Sequence, residues 1–284
     1  AFIVLVALLL INLTAVKYFG EMEFWFALIK VIAIISLIII GIIMIFTGFT
    51  TDPGLAAFSI MWNYGGWFPN GTMGFILSFQ MVVFAFTGIE LVGLTAGETE
   101  NPEKVIPMAI NNIPLRIILF YVGSLAIIMS IYPWTAVNPS TSPFVAVFTA
   151  VGIAAAAGIV NFVVLTSAAS ATNSGIFSTG RMIYALAKRG HAPSSMRRLT
   201  HSSVPYQATI FSAAVLLITV VLNYVMPEAV FVMITSISTF CFIFIWAMMV
   251  ICHLKYRKKN PELAAQSKFK MPLFPVMNYI ILAF

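Results

Sequence analysis

The stretch FWFALIKVIAIISLIIIGIIMIF, residues 24–46, decides the fold class of this chain. An apolar run of this length covers the hydrocarbon core of a bilayer, about 30 Å thick, when it is coiled as an α-helix. The many Ile and Phe residues would also suit a β-strand, but only a helix satisfies every backbone polar group within one segment in lipid. The stretch therefore predicts a membrane-spanning helix that carries one charged side chain, Lys30.

Similar apolar runs recur along the rest of the chain. They predict further spans at 1–16, 73–95, 113–133, 150–172, 208–225, 230–252 and 273–284. The predicted fold class is an all-α integral membrane protein, a multi-span helical bundle in which 1–284 form a single transmembrane domain. Because the first and last runs are shorter than a full span, we expect this chain to be a fragment of a longer membrane protein.

The composition excludes several other classes of protein. Of 284 residues, 61% are hydrophobic and 8% are charged, whereas soluble domains have about 45–50% apolar and about 25% charged residues. A soluble enzyme, a disordered protein, a coiled coil and a nucleic-acid-binding domain are therefore excluded. The net charge of +6 reflects membrane topology rather than nucleic acid, and the lipid bilayer is the expected surrounding.

The distribution of basic residues predicts the orientation. The loops 47–72, 134–149 and 226–229 contain no Lys or Arg, and all basic residues except Lys30 lie at or beyond the opposite ends of the spans. The positive-inside rule makes the basic side cytoplasmic. On that side, Asn101-Pro102-Glu103 is typical of a helix start, so we expect a short cytoplasmic helix over 105–112.

The third predicted span contains an interruption that points to a transport site. The sequence FTG at 86–88, followed by Glu90, breaks an otherwise apolar helix. Transporters use such broken helices, because the ends of half-helices direct backbone dipoles at charged groups of the substrate. Carbonyl groups near Phe84, Ala85 and Thr87 are expected to accept an ammonium group. The alternative is that Gly88 only permits close helix packing.

Two charged side chains lie inside predicted spans. Glu90 is expected to act in gating or proton relay, because a carboxylate inside a span is costly and marks function. Its alternative is snorkelling to the cytoplasmic interface. Lys30, seven residues after Glu23, is expected to take part in proton coupling, because burial readily shifts the ionisation of a lysine. The alternative is that its side chain only extends to the membrane interface.

The end of the fifth predicted span is rich in small and polar residues. Asn173 and Ser174 are candidate substrate-lining residues there, although small residues also let helices pack closely. Cys241 and Cys252 lie about 16 Å apart along one helix, too far for a disulfide, and are expected to be small buried hydrophobic residues. No His, Cys or acid spacing is typical of a metal site, so no metal or cofactor is expected.

Three stretches together resemble a known family. They are FGEMEFWFALIK at 19–30, VFAFTGIELVGLTAGETENPEKVIPMAINNIPLRII at 83–118, and NFVVLTSAASATNSGIFSTGRM at 161–182. The chain resembles, over essentially its whole length, the amino acid permeases of the amino acid–polyamine–organocation superfamily. In the stretches MWNYGGWFP at 61–69, IMSIYPW at 128–134 and KYRKKNP at 255–261 it resembles in particular the bacterial D-serine/D-alanine/glycine permeases.

The resemblance implies an architecture. It implies twelve spans in the parent protein and a 5+5 inverted repeat with a broken helix at about 84–90, so that this chain holds spans four to ten and the start of span eleven. The first span, which binds the substrate carboxylate in the family, is then missing. The resemblance also implies a multi-pass protein of the cell membrane, in particular the bacterial inner membrane.

The resemblance also implies site residues and a driving force. Phe84, Thr87 and Glu90 line the site or act in gating, and Lys30 takes the position of a sodium ion in sodium-coupled relatives. The expected function is import of glycine, alanine and serine, including D-isomers, by proton symport and alternating access, driven by a proton gradient. The bulk of Phe84 and Phe86 favours short substrates, and Thr87 is suited to bind a seryl hydroxyl.

Other functions are weighed against this expectation. An amino acid exchanger, or a permease for aromatic or basic amino acids or 4-aminobutyrate, remains an alternative. A membrane-embedded enzyme would need a nucleophile, metal ligands or a His–acid pair, and a channel would need charged rings or a filter sequence. The sequence contains neither pattern, every histidine is expected in or beside a loop, and the oligomeric state is left open.

Overall fold

The computed structural model describes residues 2–14, 16–51, 54–94, 99–137, 142–152 and 155–284. The α-helices are α1 Phe2–Asn12, α2 Val16–Phe46, α3 Ile60–Asn63, α4 Gly71–Ala85, α5 Leu91–Leu94, α6 Pro102–Arg116, α7 Ser124–Ile131, α8 Pro143–Ala150, α9 Ala156–Lys188, α10 Tyr206–Val225, α11 Pro227–Lys259, α12 Pro261–Gln266 and α13 Val276–Ala283. A π-helical segment, Ile117–Gly123, joins α6 to α7, and Trp134–Ala136 and Ser194–Arg197 are 3-10 helices. Strands β1 Thr50–Thr51 and β2 Gly54–Leu55 form an antiparallel hairpin in which Thr50 pairs with Leu55.

Helices of membrane-spanning length dominate the part of the chain that the structure describes. Five are long and apolar enough to cross a bilayer: Phe19–Phe46, Pro102–Ile131, Ala157–Lys188, Tyr206–Val225 and Val230–Lys259. The apolar helices α1 and α4 are shorter. The all-α membrane class predicted from the sequence is therefore confirmed.

The expected short helix over 105–112 is not a separate element. It is the first part of a helix that continues from Pro102 to Ile131. Pro114 lacks a backbone N–H, yet α6 continues to Arg116 and is followed by the π-helical segment at Ile117 instead of ending at the proline. The predicted helix start is confirmed, since α6 begins at Pro102 with Glu103 in its first turn, but the helix is not separate from the span that follows.

Two other predicted spans have different limits. The run predicted at 150–172 begins at Ala156 and continues to Lys188, so the Ser- and Gly-rich part stays helical. The run predicted at 73–95 is split into α4 and α5, and its last residue, Thr95, lies outside the described residues.

The chain divides into two compact units, Ala1–Pro69 with Pro114–Val225 and Asn70–Ile113 with Met226–Phe284. The core of the first unit lies where α2, α7 and α8 meet, around Leu37, Ile131 and Val147. In the second unit α11 packs against α4, α12 and α13. There the Gln80 amide donates to Ser236 Oγ at 2.6 Å, and Thr239 Oγ1 donates to the Gln80 carbonyl at 3.0 Å.

Two minor expectations about α11 are wrong. Cys241 and Cys252 are exposed rather than buried, and the neighbouring Phe240 and Phe244 are exposed as well. In a membrane protein such side chains need no protein cover, because lipid tails are as apolar as leucine. His253 was expected beside a loop but lies within α11, where its Nδ1 is 3.0 Å from Asn278 Nδ2.

Candidate functional site

The predicted helix interruption lies between α4 and α5. The last turn of α4 closes on Phe86, whose N–H reaches the carbonyls of Val82 and Val83 at 3.3 and 3.1 Å. Gly88 then has φ +99°, a conformation that is strained for any residue with a Cβ. The glycine thus has a conformational role in the break, beyond the close packing that the sequence left as the alternative.

Glu90 closes the interruption from the α5 side. Its two carboxylate oxygens accept the backbone N–H of Gly88 at 3.0 and 3.2 Å, and Oε2 also accepts from Trp246 Nε1 at 3.3 Å. A broken helix exposes donors that have no intrahelical partner, and here a carboxylate satisfies one of them. Glu90 therefore holds the break in shape and links it to α11.

The carbonyl end of α4 is organised by Thr87. The Phe84 carbonyl accepts the Thr87 N–H at 3.1 Å and the Thr87 hydroxyl at 2.8 Å. The hydroxyl oxygen keeps acceptor capacity, because a hydroxyl has one donor and two lone pairs. Ala85 is the last residue of α4. Binding of an ammonium group by these carbonyls stays a prediction.

A second polar constellation lies in the first unit, where Lys30 of α2 faces α9. Lys30 Nζ donates to Ser170 Oγ at 2.9 Å, and Ser170 Oγ in turn donates to Glu23 Oε2 at 2.6 Å. Ser170 is buried, whereas Glu23 and Lys30 are half-buried. Lys30 is thus engaged with the neighbouring helix through a hydroxyl, and a carboxylate stands at the other end of that chain.

The remaining members of this constellation hold the carboxylate. Asn173 Nδ2 donates to Glu23 Oε1 at 2.8 Å, and Asn12 of α1 donates to Asn173 Oδ1 at 2.6 Å. Asn12 also donates to the Leu8 carbonyl at 2.9 Å. We call Asn12, Glu23, Lys30, Ser170 and Asn173 the polar network of the first unit.

Helical spacing explains why these residues meet. Glu23 and Lys30 are seven residues apart, two turns on one face of α2, and Ser170 and Asn173 are one turn apart on α9. The polar faces of α2 and α9 therefore contact each other inside an otherwise apolar bundle. Ser174 follows Asn173 on α9 and is half-buried.

Sequence reasoning found only part of this network. It selected Lys30 and Asn173 but gave no role to Glu23, Ser170 or Asn12. The spacing of Glu23 and Lys30 in one otherwise apolar helix was the pattern that could have indicated a role for Glu23. Their shared partner on α9 was not visible, because it lies 140 residues from Lys30 along the chain.

An apolar cavity of about 700 Å³ in the first unit is bounded by α2, α8 and α9. Lys30 is the charged residue among those that line it, beside aromatic side chains such as Phe144 and Phe148. The lysine therefore touches both the polar network and an open apolar space.

Comparison with known proteins places the chain in a family. It matches the sequence profile of the family described as "Amino acid permease" over residues 1–284. The chain belongs to the amino acid permease family.

Several curated relatives are similar along the chain. It is 68% identical to an uncharacterized transporter of Bacillus subtilis (YdgF), over 99% of this chain and 62% of that protein. It is 64% identical to the amino-acid permease AapA of the same organism, over 99% and 61%. It is 51% identical to the D-serine/D-alanine/glycine transporter of Escherichia coli K12, over 99% and 60%. The chain thus spans about three fifths of the length of these relatives.

Proposed function

We propose that the full-length protein containing these residues imports small neutral amino acids, namely glycine, alanine and serine with their D-isomers, across the bacterial inner membrane. Transport is by proton symport with alternating access, in a twelve-span protein with a 5+5 inverted repeat. The observation that carries the proposal is the interrupted helix of an amino acid permease, with Gly88 at positive φ and Glu90 bound to its backbone.

The interruption supports binding of an amino acid. The C-terminal end of α4 carries the negative end of a helix dipole, and its last residues are Phe84 and Ala85. A substrate ammonium group suits that end, with the Thr87 hydroxyl beside it as a partner for a seryl side chain. The substrate carboxylate is left to a part of the protein outside this chain.

The size and charge of the site support a short neutral side chain. Phe84 and Phe86 flank the break and restrict the room beside it. Glu90, the acid at the break, is engaged with Gly88 and Trp246, so it is not set aside for a cationic side chain. The 51% identity to a D-serine/D-alanine/glycine transporter supports the same substrates, and acceptance of D-isomers rests on that similarity.

Lys30 supports coupling to protons. It is an ionisable group inside a span, and its ammonium donates to Ser170 of a neighbouring helix. An ionisable residue in that position is a functional residue by default. Loss and gain of its proton changes how strongly α2 and α9 attract each other, which links protonation to helix movement.

Uptake in proteoliposomes tests the proposal. Labelled glycine should accumulate when the lumen is more alkaline than the outside, and D-alanine and L-alanine should compete while L-lysine and L-phenylalanine do not. Strong inhibition by L-lysine or L-phenylalanine, with none by D-alanine, would refute the substrate assignment. Counterflow without any response to the pH gradient would replace the symporter with an exchanger.

A further inference from the structure

We propose that Glu23 is the proton acceptor for Lys30, with the Ser170 hydroxyl as the bridge between them. This inference deepens the proposed proton symport and rests on it. The first support is the direction of the hydrogen bonds: Lys30 Nζ donates to Ser170 Oγ, and Ser170 Oγ donates to Glu23 Oε2 at 2.6 Å. A donor cation, a hydroxyl and an acceptor anion thus form one hydrogen-bonded chain.

The proton transfer along this hydrogen-bonded chain conserves both atoms and charge. One N–H bond of the Lys30 ammonium breaks as its proton moves to Ser170 Oγ, and the original Ser170 proton moves to Glu23 Oε2. The products are a neutral amine, an intact hydroxyl and a carboxylic acid. The summed charge of the three groups is zero before and after the step. Inside a bilayer the neutral products avoid the cost of keeping two separate charges away from water.

Neighbouring amide side chains fix the orientation of the Glu23 carboxylate. Its second oxygen is held by Asn173 Nδ2, and Asn12 holds the Asn173 carbonyl oxygen at 2.6 Å, which fixes which end of the Asn173 amide points at Glu23. Asn12 and Asn173 are buried, at 6% and 0% exposure. Such a network orients the carboxylate without neutralising it, because amides are neutral donors.

Other ionisable groups lie on the elements that pack against α2 and α9. Among the residues whose side chains the structure describes, these are Glu21, Tyr121, Arg181, Tyr184, Lys188, Arg197, Tyr206 and Tyr224. Glu21 is exposed and accepts from Trp25 Nε1. Arg181 donates to the Phe177 carbonyl and lies over the Phe177 ring, about 12 Å along α9 from Asn173.

The position of Glu23 gives the proton a direction. Glu23 lies seven residues nearer than Lys30 to the start of α2, about 10 Å along the helix. That end of α2 is the side predicted to be cytoplasmic from the basic loops. A proton on Glu23 is therefore bound to a residue two turns nearer that end of the helix than Lys30 is. Glu23 is then the release group of the symport cycle.

The test compares two transport modes of the full-length protein in proteoliposomes. Glycine uptake driven by a pH gradient requires net proton release, whereas glycine counterflow without a gradient does not. In Glu23→Gln and in Ser170→Ala, the ratio of driven uptake to counterflow should fall at least about tenfold; loss of a positioned proton-transfer group typically costs about 100-fold or more. Ser170→Thr keeps the hydroxyl and should restore the ratio to within about threefold of wild type. Glu21→Gln, a charge removal two residues away, is the matched control and should leave the ratio unchanged.

The outcomes separate this inference from the proposed function. Wild-type protein without gradient-driven uptake would overturn the proton symport itself. A gradient-driven wild type together with an unchanged ratio in Glu23→Gln, or an equal fall of both modes, would overturn only the role of Glu23. Should Glu23→Gln fail to fold, the Ser170→Ala and Ser170→Thr pair decides, since equal ratios in those two variants also refute the bridge.

Infrared difference spectra give an independent readout of the protonation of Glu23. We expect a carboxylic-acid C=O band that forms during turnover of the wild type and is absent in Glu23→Gln. Persistence of this band in Glu23→Gln would overturn the assignment.

Discussion

Two carboxylates within apolar segments, Glu23 in α2 and Glu90 in the interruption between α4 and α5, are held in opposite ways. Glu23 is bound by side chains of another helix, Ser170 and Asn173 of α9, more than 140 residues away along the chain. Glu90 is bound mainly by its own segment, through the Gly88 backbone two residues before it, with Trp246 as the distant partner. The first arrangement can exchange protons between side chains, because a lysine and a hydroxyl stand beside the acid. The second stabilises a backbone shape. We therefore propose proton exchange for the first region and stabilisation of the break geometry for the second.

The strongest test of this division removes the lysine of the first region. Lys30→Ala should reduce pH-driven uptake at least about 100-fold, the size of a lost proton-transfer group, while membrane insertion stays intact. Uptake by reconstituted protein across a range of pH measures the effect. Lys255→Ala, which removes an exposed lysine near the end of α11, is the control. Normal uptake with an unchanged pH profile in Lys30→Ala would contradict the assignment.

The second test changes the backbone conformation at the interruption between α4 and α5. Gly88→Ala places a Cβ at φ +99°, a strain of about 1–2 kcal/mol for a left-handed residue, so the interrupted geometry should become about 5- to 30-fold less populated. Transport should fall by a similar factor. Gly93→Ala is the matched control, because Gly93 lies in α5 with nothing within 4 Å of an added Cβ. Equal effects of the two variants would show that the conformation of Gly88 is not what matters.

The third test separates shape from charge at Glu90. Glu90→Gln keeps an acceptor oxygen for the Gly88 N–H but removes the charge, which weakens the hydrogen bond by about 1 kcal/mol. The transport rate should fall about fivefold, and substrate affinity should change less. Rate and affinity are measured from initial uptake over a range of substrate concentrations. Complete loss of binding would make Glu90 a direct ligand of the substrate and would end its contrast with Glu23.

The last test measures stability rather than transport and concerns packing around the first region. A Cβ at Gly180 of α9 would lie 2.9 Å from Thr209 Oγ1 and 3.3 Å from Thr209 Cα on α10. Gly180→Ala should therefore destabilise the protein by about 1–3 kcal/mol, as overpacking does. Gly175→Ala, on the same helix with nothing within 4 Å of an added Cβ, should not. Thermal unfolding of the detergent-solubilised protein distinguishes the two, and an equally stable Gly180→Ala would show that α10 yields at this contact.

The class of the protein and the place of the break were predictable from local patterns. Apolar runs of membrane length predict spans, because lipid allows no unsatisfied backbone groups. The FTG step at 86–88 predicts an interruption, because glycine adopts φ values that other residues avoid. Both rules act over a few neighbouring residues, which a sequence displays directly.

Limits of helices were less predictable. Pro114 does not end its helix, which continues as far as Ile131 with a π-helical segment over Ile117–Gly123. The Ser- and Gly-rich end of α9 remains helical because α10 packs against it, as the close approach of Gly180 to Thr209 shows. Packing against neighbouring helices determined these helix limits. Helix propensities describe single residues and do not include such packing.

Residue patterns alone established a multi-span α-helical membrane protein with two unusual intramembrane charges, Lys30 and Glu90. Only the tertiary structure decided which groups each charge contacts, because a hydrogen bond depends on which helices pack together and on the rotation of each. Packing of α2 against α9 brought Ser170 between Lys30 and Glu23, and the turn after α4 brought Glu90 back onto Gly88. A carboxylate inside a membrane must find donors, since burial without them is costly; which donors it finds is settled by three-dimensional contacts that sequence spacing does not encode.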